Sequence, residues 1–307
     1  MLLDCDYIQN LFSSYGFSEI AFVSAKTLPD QEMRYQKWLQ RGHHAKMEFL
    51  VRHSKGKFNP CWIMPECKSI WFLILPYYQN FSKTYQKGVV ARYAWGRDYH
   101  KIFRDLWKKV EPQLNLKYPN EKFRFFSDAT PLSERYYAFQ AGLGFIGKNN
   151  LLIHPKYGSW FFLAEVFSSL EYDGQNNILE NECGNCQKCV ESCPTHALEK
   201  EYDLNCTRCI SYLTIENREE IPKELQQKIK YQIFGCDLCQ ECCPYNQNIP
   251  PTTHPDLLQH IAGEILNISE IINMSEQTFQ KKYAGSPILR AKYSGIVRNA
   301  QCLLNYN

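Results

Sequence analysis

Ten of the chain's fourteen cysteines lie between residues 183 and 243, at positions 183, 186, 189, 193, 206, 209, 236, 239, 242 and 243. Crowded thiols of this kind bind metal. Cys183-x2-Cys186-x2-Cys189-x3-Cys193-Pro194 has the bacterial ferredoxin spacing. There, three close cysteines and one distant partner hold a [4Fe–4S] cubane, and the cysteine before proline ligates the other cluster. Cys236-x2-Cys239-x3-Cys243-Pro244 repeats the register with three members. Cys243 then crosses to the first cluster, giving Cys183, Cys186, Cys189 and Cys243. The second cluster takes Cys193, Cys236, Cys239 and one more. Cys242 is set aside because neighbouring residues rarely point at one metal, and spacing leaves Cys206 and Cys209 even. Zinc knuckles would instead show two CxxC pairs with a spacer of about 12–20 residues. Cys5, Cys61, Cys67 and Cys302 read as ordinary thiols.

Two clusters only move electrons, and a carrier needs a far shorter chain. The 307 residues, 44% hydrophobic and 14% aromatic, are ample for a packed core. No apolar run approaches the roughly 18–20 residues of a membrane span. Asp4 and Asp6 stand where a signal peptide would want cations, so a cytoplasmic protein is expected. Residues 1–182 carry 23 Lys and Arg against 18 Asp and Glu, and the remainder 12 against 14. That mild basic bias suits contact with nucleic acid.

The elements that must position the chemistry alternate in residues 1–175. Helical patterns cover 4–15, 98–114 and 133–141, and strand patterns cover 18–25, 69–77, 123–129, 151–153 and 160–167. This alternation argues for an α/β (α+β) domain with a mainly parallel or mixed sheet. Residues 171–182 read as a linker, 176–250 as the ferredoxin-like double-cluster domain, and 251–307 as a tail with helices at 261–272 and 288–304. Gly142-Leu143-Gly144-Phe145-Ile146-Gly147 matches GxGxxG formally, but it follows a helix, which argues against dinucleotide binding. His43 and His44 read as a solvated face.

Several runs together resemble epoxyqueuosine reductase. They are Arg208-Cys209-Ile210-Ser211-Tyr212-Leu213-Thr214, Cys236-Asp237-Leu238-Cys239-Gln240 and Gly96-Arg97-Asp98-Tyr99-His100. The stretch from Ala141 to Asn149, followed by Gly158-Ser159-Trp160-Phe161-Phe162-Leu163, adds to them, and the likeness spans nearly the whole chain. That family reduces the epoxide of epoxyqueuosine at the wobble position of tRNA anticodons. It uses cobalamin and two [4Fe–4S] clusters, and it is related to reductive dehalogenases.

The resemblance implies that electrons pass through the clusters to cobalamin, and it selects Cys209 as the eighth ligand. It places Asp128 as proton donor, and Lys57, Ala91, Asp128, Leu152, His154, Leu163, Ser211 and Asp237 in the cobalamin pocket. Lys57 departs from an expected arginine, and Ala91 stands where some members have cysteine. The chain ends without the helical-repeat extension of some members, implying a smaller tRNA surface. The expected partners are an epoxyqueuosine-bearing anticodon stem-loop and a reductant such as a flavodoxin or ferredoxin system, with no membrane and a monomeric enzyme.

As a donor, Asp128 must stay protonated near neutral pH. From an ordinary value of about 3.9 that takes roughly 4 kcal/mol of differential interaction, supplied by burial. The bland alternative for Asp128 is a helix N-cap before 131–134. Arg97, Arg104, Lys108, Lys109, Arg135 and Lys148 are candidate phosphate contacts. Rival readings are a small-molecule reductase of the dehalogenase kind and a pure electron carrier.

Overall fold

The computed structural model describes residues 1–17, 19–81, 87–180 and 182–305. Ser18, Asn181, Tyr306 and Asn307, which belong to the expected first strand, linker and tail, lie outside the described residues. Four strands make the main sheet: β1 (Glu19–Ser24), β2 (Ser69–Pro76), β3 (Phe123–Phe126) and β4 (Phe161–Ser168). Their order is β1-β2-β4-β3 and every pairing is antiparallel. This corrects the parallel or mixed sheet read from the alternation. The β1–β2 and β3–β4 connections return the chain to the sheet end it left, whereas the β2–β3 connection, which carries α2, crosses to the other end and lays β3 parallel to β2 with β4 between them. Alternation in sequence does not distinguish the two routes.

Every residue of β2 is buried. Trp71, Leu73 and Leu75 face one core with α1 (Cys5–Ser14) and α2 (Tyr99–Lys117), while Ile70, Phe72 and Ile74 face a second with α3 (Glu134–Gln140). Period-two alternation across two apolar faces explains the unbroken apolar run. Truncating a side chain such as Phe72 to alanine would cost about 3–5 kcal/mol. On β4, Phe161, Leu163, Glu165 and Phe167 share one face, so Glu165 is an acid at an apolar position and is fully buried.

A third core ties Val90, Ala94 and Trp95 to Ile210, Leu213, Ile233 and Phe234 and to α4 (Lys292–Leu304). Asn299 on α4 donates to the carbonyls of Thr214 (2.8 Å) and Ile233 (2.9 Å). The tail thus braces the segments that follow Cys209 and precede Cys236. Residues 261–267 are not helical, contrary to the sequence pattern. Gly263 takes φ +72 and Ile265 bridges Val89, so an apolar segment is spent on pairing instead.

The glycine motif forms a hairpin of Phe145–Ile146 with Leu152–Ile153. Gly142, at φ +83, ends the preceding helix. A Cβ on Gly144 would lie 2.2 Å from the Ile153 carbonyl oxygen. Close packing, not a phosphate, requires these glycines.

Candidate active site and cysteine cages

Asp128 follows β3 in the left-handed region, φ +47, a conformation that aspartate tolerates better than most residues. The Tyr99 hydroxyl donates to its Oδ2 at 2.9 Å. Tyr99 opens α2, where Asp98 caps the helix through the His100 amide (3.0 Å). Its ring stacks on Phe162 with centroids 4.3 Å apart. Burial, and then the Asp128 charge, push the Tyr99 phenol up, so it remains a donor. Helix α3 begins at Glu134 with Ser133 at the cap position, so Asp128 caps no helix.

These groups border a pocket of about 230 Å³, with Tyr77, Tyr93, Arg135, Leu152, Leu163 and Gln240 on its walls. Asp128 stands exposed at it, so the expected burial is not made by the protein's own atoms. Behind it sits Glu165, whose Oε1 accepts from the Thr130 hydroxyl at 2.7 Å. Its Oε2 is buried and meets no donor among the described residues. Glu134, on the pocket wall, lies within hydrogen-bonding reach of Glu165. Burial pushes Glu165 up to about 8, helped by the Asp128 charge. Burial, followed by the charges of Glu165 and Asp128, drives Glu134 well up too.

Gln240 accepts from the Ser159 hydroxyl (2.9 Å) and donates to Asp237 (3.2 Å). Asp237 in turn borders a second pocket of about 300 Å³, walled also by Arg92, Trp95 and Val90. Arg92 is buried, with its guanidinium 4.7 Å from the Trp160 ring centroid and 3.8 Å from Asp237. Ala91 is buried against Gly235 beside this pocket.

Of the residues expected around a cofactor, Asp128, Leu152 and Leu163 therefore line the first pocket and Asp237 the second. Lys57, His154 and Ser211 line neither. The Lys57 ammonium lies over the Tyr35 ring at 5.3 Å. Burial draws it down, against the pull of Glu134. The His154 ring pairs with Glu19 (2.9 Å) and accepts from the Lys156 amide (3.0 Å). Ser211 is half-buried in the helix Ile210–Ile215.

The phosphate candidates also separate. Arg104 and Arg135 are exposed, whereas Lys148 is 3% exposed and pairs with Glu201 (2.8 Å). Arg97 is held between Asp105 and Asp256, each at 2.7 Å. His43 is buried near Asp203 (3.4 Å), correcting its reading as a solvated face.

The cysteine halves repeat one local geometry. Cys189 and Cys239 each sit in a single helical turn, Lys188–Glu191 and Leu238–Glu241, that runs on to Cys-Pro, and the Cys193 and Cys243 carbonyls accept from the His196 (3.0 Å) and Asn246 (3.0 Å) amides. Electrostatically the thiols form two sets. Cys189 feels Cys242, then Cys183 and Cys243, and Cys243 feels Cys183, Cys242 and Cys186, so Cys242 lies close to this set. Cys236 feels Cys209 and Cys193, while Cys239 feels Cys236 and Cys209. Cys206 senses only Cys209 among thiols, and the Cys242 sulfur lies 3.2 Å from the Ser192 hydroxyl.

Burial raises Cys189 to about 11 and Cys236 and Cys239 further, so thiolates here need a compensating cation. Among the described residues no three cysteine sulfurs lie within 4.8 Å of one another. Tetrahedral zinc with Zn–S near 2.3 Å would bring them to about 3.8 Å.

Sequence reasoning missed Glu134 and Glu165. The available signal was a lone acid inside the apolar run from Phe161 to Phe167.

Comparison with known proteins agrees with this layout. Residues 182–246 match the family of the 4Fe-4S double cluster binding domain, and 58–129 match "Epoxyqueuosine reductase QueG, DUF1730". An epoxyqueuosine reductase of Cyclobacterium marinum is 33% identical over 97% of this chain and 96% of its own length. One from Pseudomonas aeruginosa is 35% identical, covering 92% and 80%. An epoxyqueuosine reductase solved with a tRNA-Tyr epoxyqueuosine-modified stem loop superposes with a TM-score of 0.90 at 29% identity, covering 98% of this chain and 80% of that one.

Proposed function

The chain belongs to the epoxyqueuosine reductase family of oxidoreductases, and from that premise we propose that it reduces epoxyqueuosine to queuosine at the wobble position of a tRNA anticodon. The observation that carries this reading is the Asp128–Tyr99 pair, held on an aromatic wall in a pocket that is also lined by Gln240, the neighbour of Cys239 in the chain. Removing an epoxide oxygen to leave an alkene takes two electrons and two protons and releases water. Cysteine cages supply the route for the first and carboxyls the second.

Cluster one is assigned to Cys183, Cys186, Cys189 and Cys243, and cluster two to Cys193, Cys209, Cys236 and Cys239. The ferredoxin spacing, the match of residues 182–246 to the double-cluster domain and the proximity of Cys236 to Cys209 and Cys193 and of Cys243 to Cys183 and Cys186 support this. Cobalamin is assigned to the paired pockets on either side of Gln240. Neither is large, but together they offer a polar seam at Gln240–Asp237 between apolar walls, which suits a broad ring with a polar rim. Asp128, Leu152 and Leu163 would hold it on one side and Ala91 and Asp237 on the other, with Lys57, His154 and Ser211 acting from behind the walls. When bound, cobalamin would supply electrons at its metal centre, replenished through the clusters by a flavodoxin or ferredoxin system.

The chain's own residues do the rest. Tyr99 fixes the Asp128 carboxyl by donating to Oδ2, leaving the other oxygen to carry a proton to the departing oxygen. Covering of the pocket by cofactor and an extruded base supplies the burial that keeps that proton in place. Tyr99 and Phe162 offer the base a stacking wall. Among the described residues no helix is long and apolar enough to cross a membrane. A monomer working in the cytoplasm completes the proposal. Expression in a strain lacking epoxyqueuosine reductase tests it: queuosine should appear in the tRNA. Persistent epoxyqueuosine, with clusters present in the purified chain, would refute it.

A further inference from the structure

Glu165 is an anomaly until a proton is placed on it. It occupies an apolar position on β4, opposite Phe72 on β2 and Phe126 on β3, and is 0% exposed. One oxygen is satisfied by Thr130, and the other meets no donor among the described residues. A buried oxygen without a donor costs about 1–3 kcal/mol, more when charged. The group beside it is the Glu134 carboxyl, which donates only if it carries a proton. One proton between the two acids satisfies both, and Glu134 reaches the pocket that Asp128 borders. The other charged or polar groups acting on the pair are Asp128, Arg135, Lys57 and the Thr130 hydroxyl.

We propose that Glu165 and Glu134 form the proton store of this site, holding one proton between them and passing it through Glu134 to Asp128 once Asp128 has protonated the substrate. This rests on the reading of Asp128 given above. The balance requires it: two carbon–oxygen bonds break, one carbon–carbon double bond forms, and the oxygen leaves as water with two protons and two electrons. The electrons come from the external reductant through the clusters. One carboxyl at the substrate delivers one proton, and the second comes from the pair. Glu165 is then a positioning residue, keeping Glu134 protonated.

The test has two arms. Infrared spectroscopy of the parent protein at neutral pH should show a carboxylic-acid C=O band that persists in Asp128→Asn and vanishes in Glu165→Gln and in Glu134→Gln. With the holoenzyme and modified stem-loop, Glu165→Gln should slow single-turnover queuosine formation on the order of tenfold or more. The fall in rate on the alkaline side should also move to lower pH. A parent without the band, or a Glu165→Gln enzyme with the parental rate and pH profile, overturns the proposal. If the parent makes no queuosine, the functional reading falls, and the infrared band alone decides whether the pair holds a proton.

Discussion

The cysteine-rich segments and the Asp128 pocket both crowd acidic groups into protein, thiols in the one and, in the other, the carboxyls of Asp128 and Glu134 with the buried Glu165 behind them. Their means of neutralisation differ. Burial pushes the Cys236 and Cys239 thiols up, and the groups acting on them among the described residues include no cation, so a metal core is the neutralising partner proposed for them. Glu134 and Glu165 relieve each other with a proton. A cage of the first kind responds to iron and chelators, and the second to pH. The cysteine segments also come largely from short turns, Cys183 to Cys193 and Cys236 to Cys243, joined by a ligand from the other half. The carboxyls come from a loop, a helix end and the centre of a strand.

The sharpest break between the regions is ligand removal. Cys209→Ala should lower iron from about eight to about four per chain and abolish turnover, because one cubane loses a corner. Cys206→Ala and Cys242→Ala should keep iron near eight, since Cys206 stands apart from Cys193, Cys236 and Cys239 and Cys242 is turned to Ser192. Iron loss in Cys206→Ala with Cys209→Ala intact would reverse the assignment.

Next in size is Asp128→Asn. It should retain iron and stem-loop affinity while cutting single-turnover reduction by at least about 100-fold, because an amide delivers no proton. Stability should move by less than ~0.5 kcal/mol, since the side chain caps no helix and asparagine also tolerates the left-handed backbone. Activity within about threefold of the parent would remove Asp128 from the chemistry. The search would then pass to Tyr99 and His100, because the His154 ring is already spent on Glu19 and the Lys156 amide.

This difference in construction governs what could be read from sequence. The spacing from Cys183 to Cys193 and the Cys-Pro pairs encode turns, so the double-cluster domain was legible, while the division of its thiols is a proposal that spacing alone left open at Cys206 and Cys209. The strands too were legible in place, because β2 and β4 are dense apolar runs. Their direction was not, since it depends on which end of the sheet a connection returns to. Asp128 was visible only through resemblance, as a cap reading competed with it. Lys148 and His43 looked like surface groups because a sequence shows charge but not the Glu201 or Asp203 that buries it. Glu165 pairs with Glu134 across 31 positions, and only the fold brings them together.

A weaker effect concerns the substrate's grip. With about four phosphates neutralised, stem-loop affinity should fall with salt at a log–log slope near −2.8, using about −0.7 per contact. Arg104→Gln and Arg135→Gln, both exposed in the parent, should each make that slope shallower by about 0.7 if they touch phosphate. Lys148→Gln should leave the slope alone, because its ammonium is buried on Glu201. A slope that responds to Lys148 and not to Arg135 would mean the stem-loop approaches from the cysteine side.

The smallest expected effect is thermal, and it separates proton from metal most directly. In the unfolded chain Glu165 ionises near 4.5, whereas in the fold burial holds its proton up to about 8. Between those values the folded state binds the extra proton, so stability falls as pH rises through that window and levels off above it. Below pH 4.5 the contribution is fully present. Glu165→Gln carries no such proton, so its melting temperature should decline less than the parent's between about pH 5 and 8, by a few degrees for a chain of this size. Glu134 shifts in the same direction and leaves some slope behind. Cys209→Ala, by contrast, should lower the melting temperature by a similar amount at each pH in that window, because what it removes is an iron ligand and not a titrating acid. Parallel melting curves for parent and Glu165→Gln across the window would show that Glu165 holds no proton there.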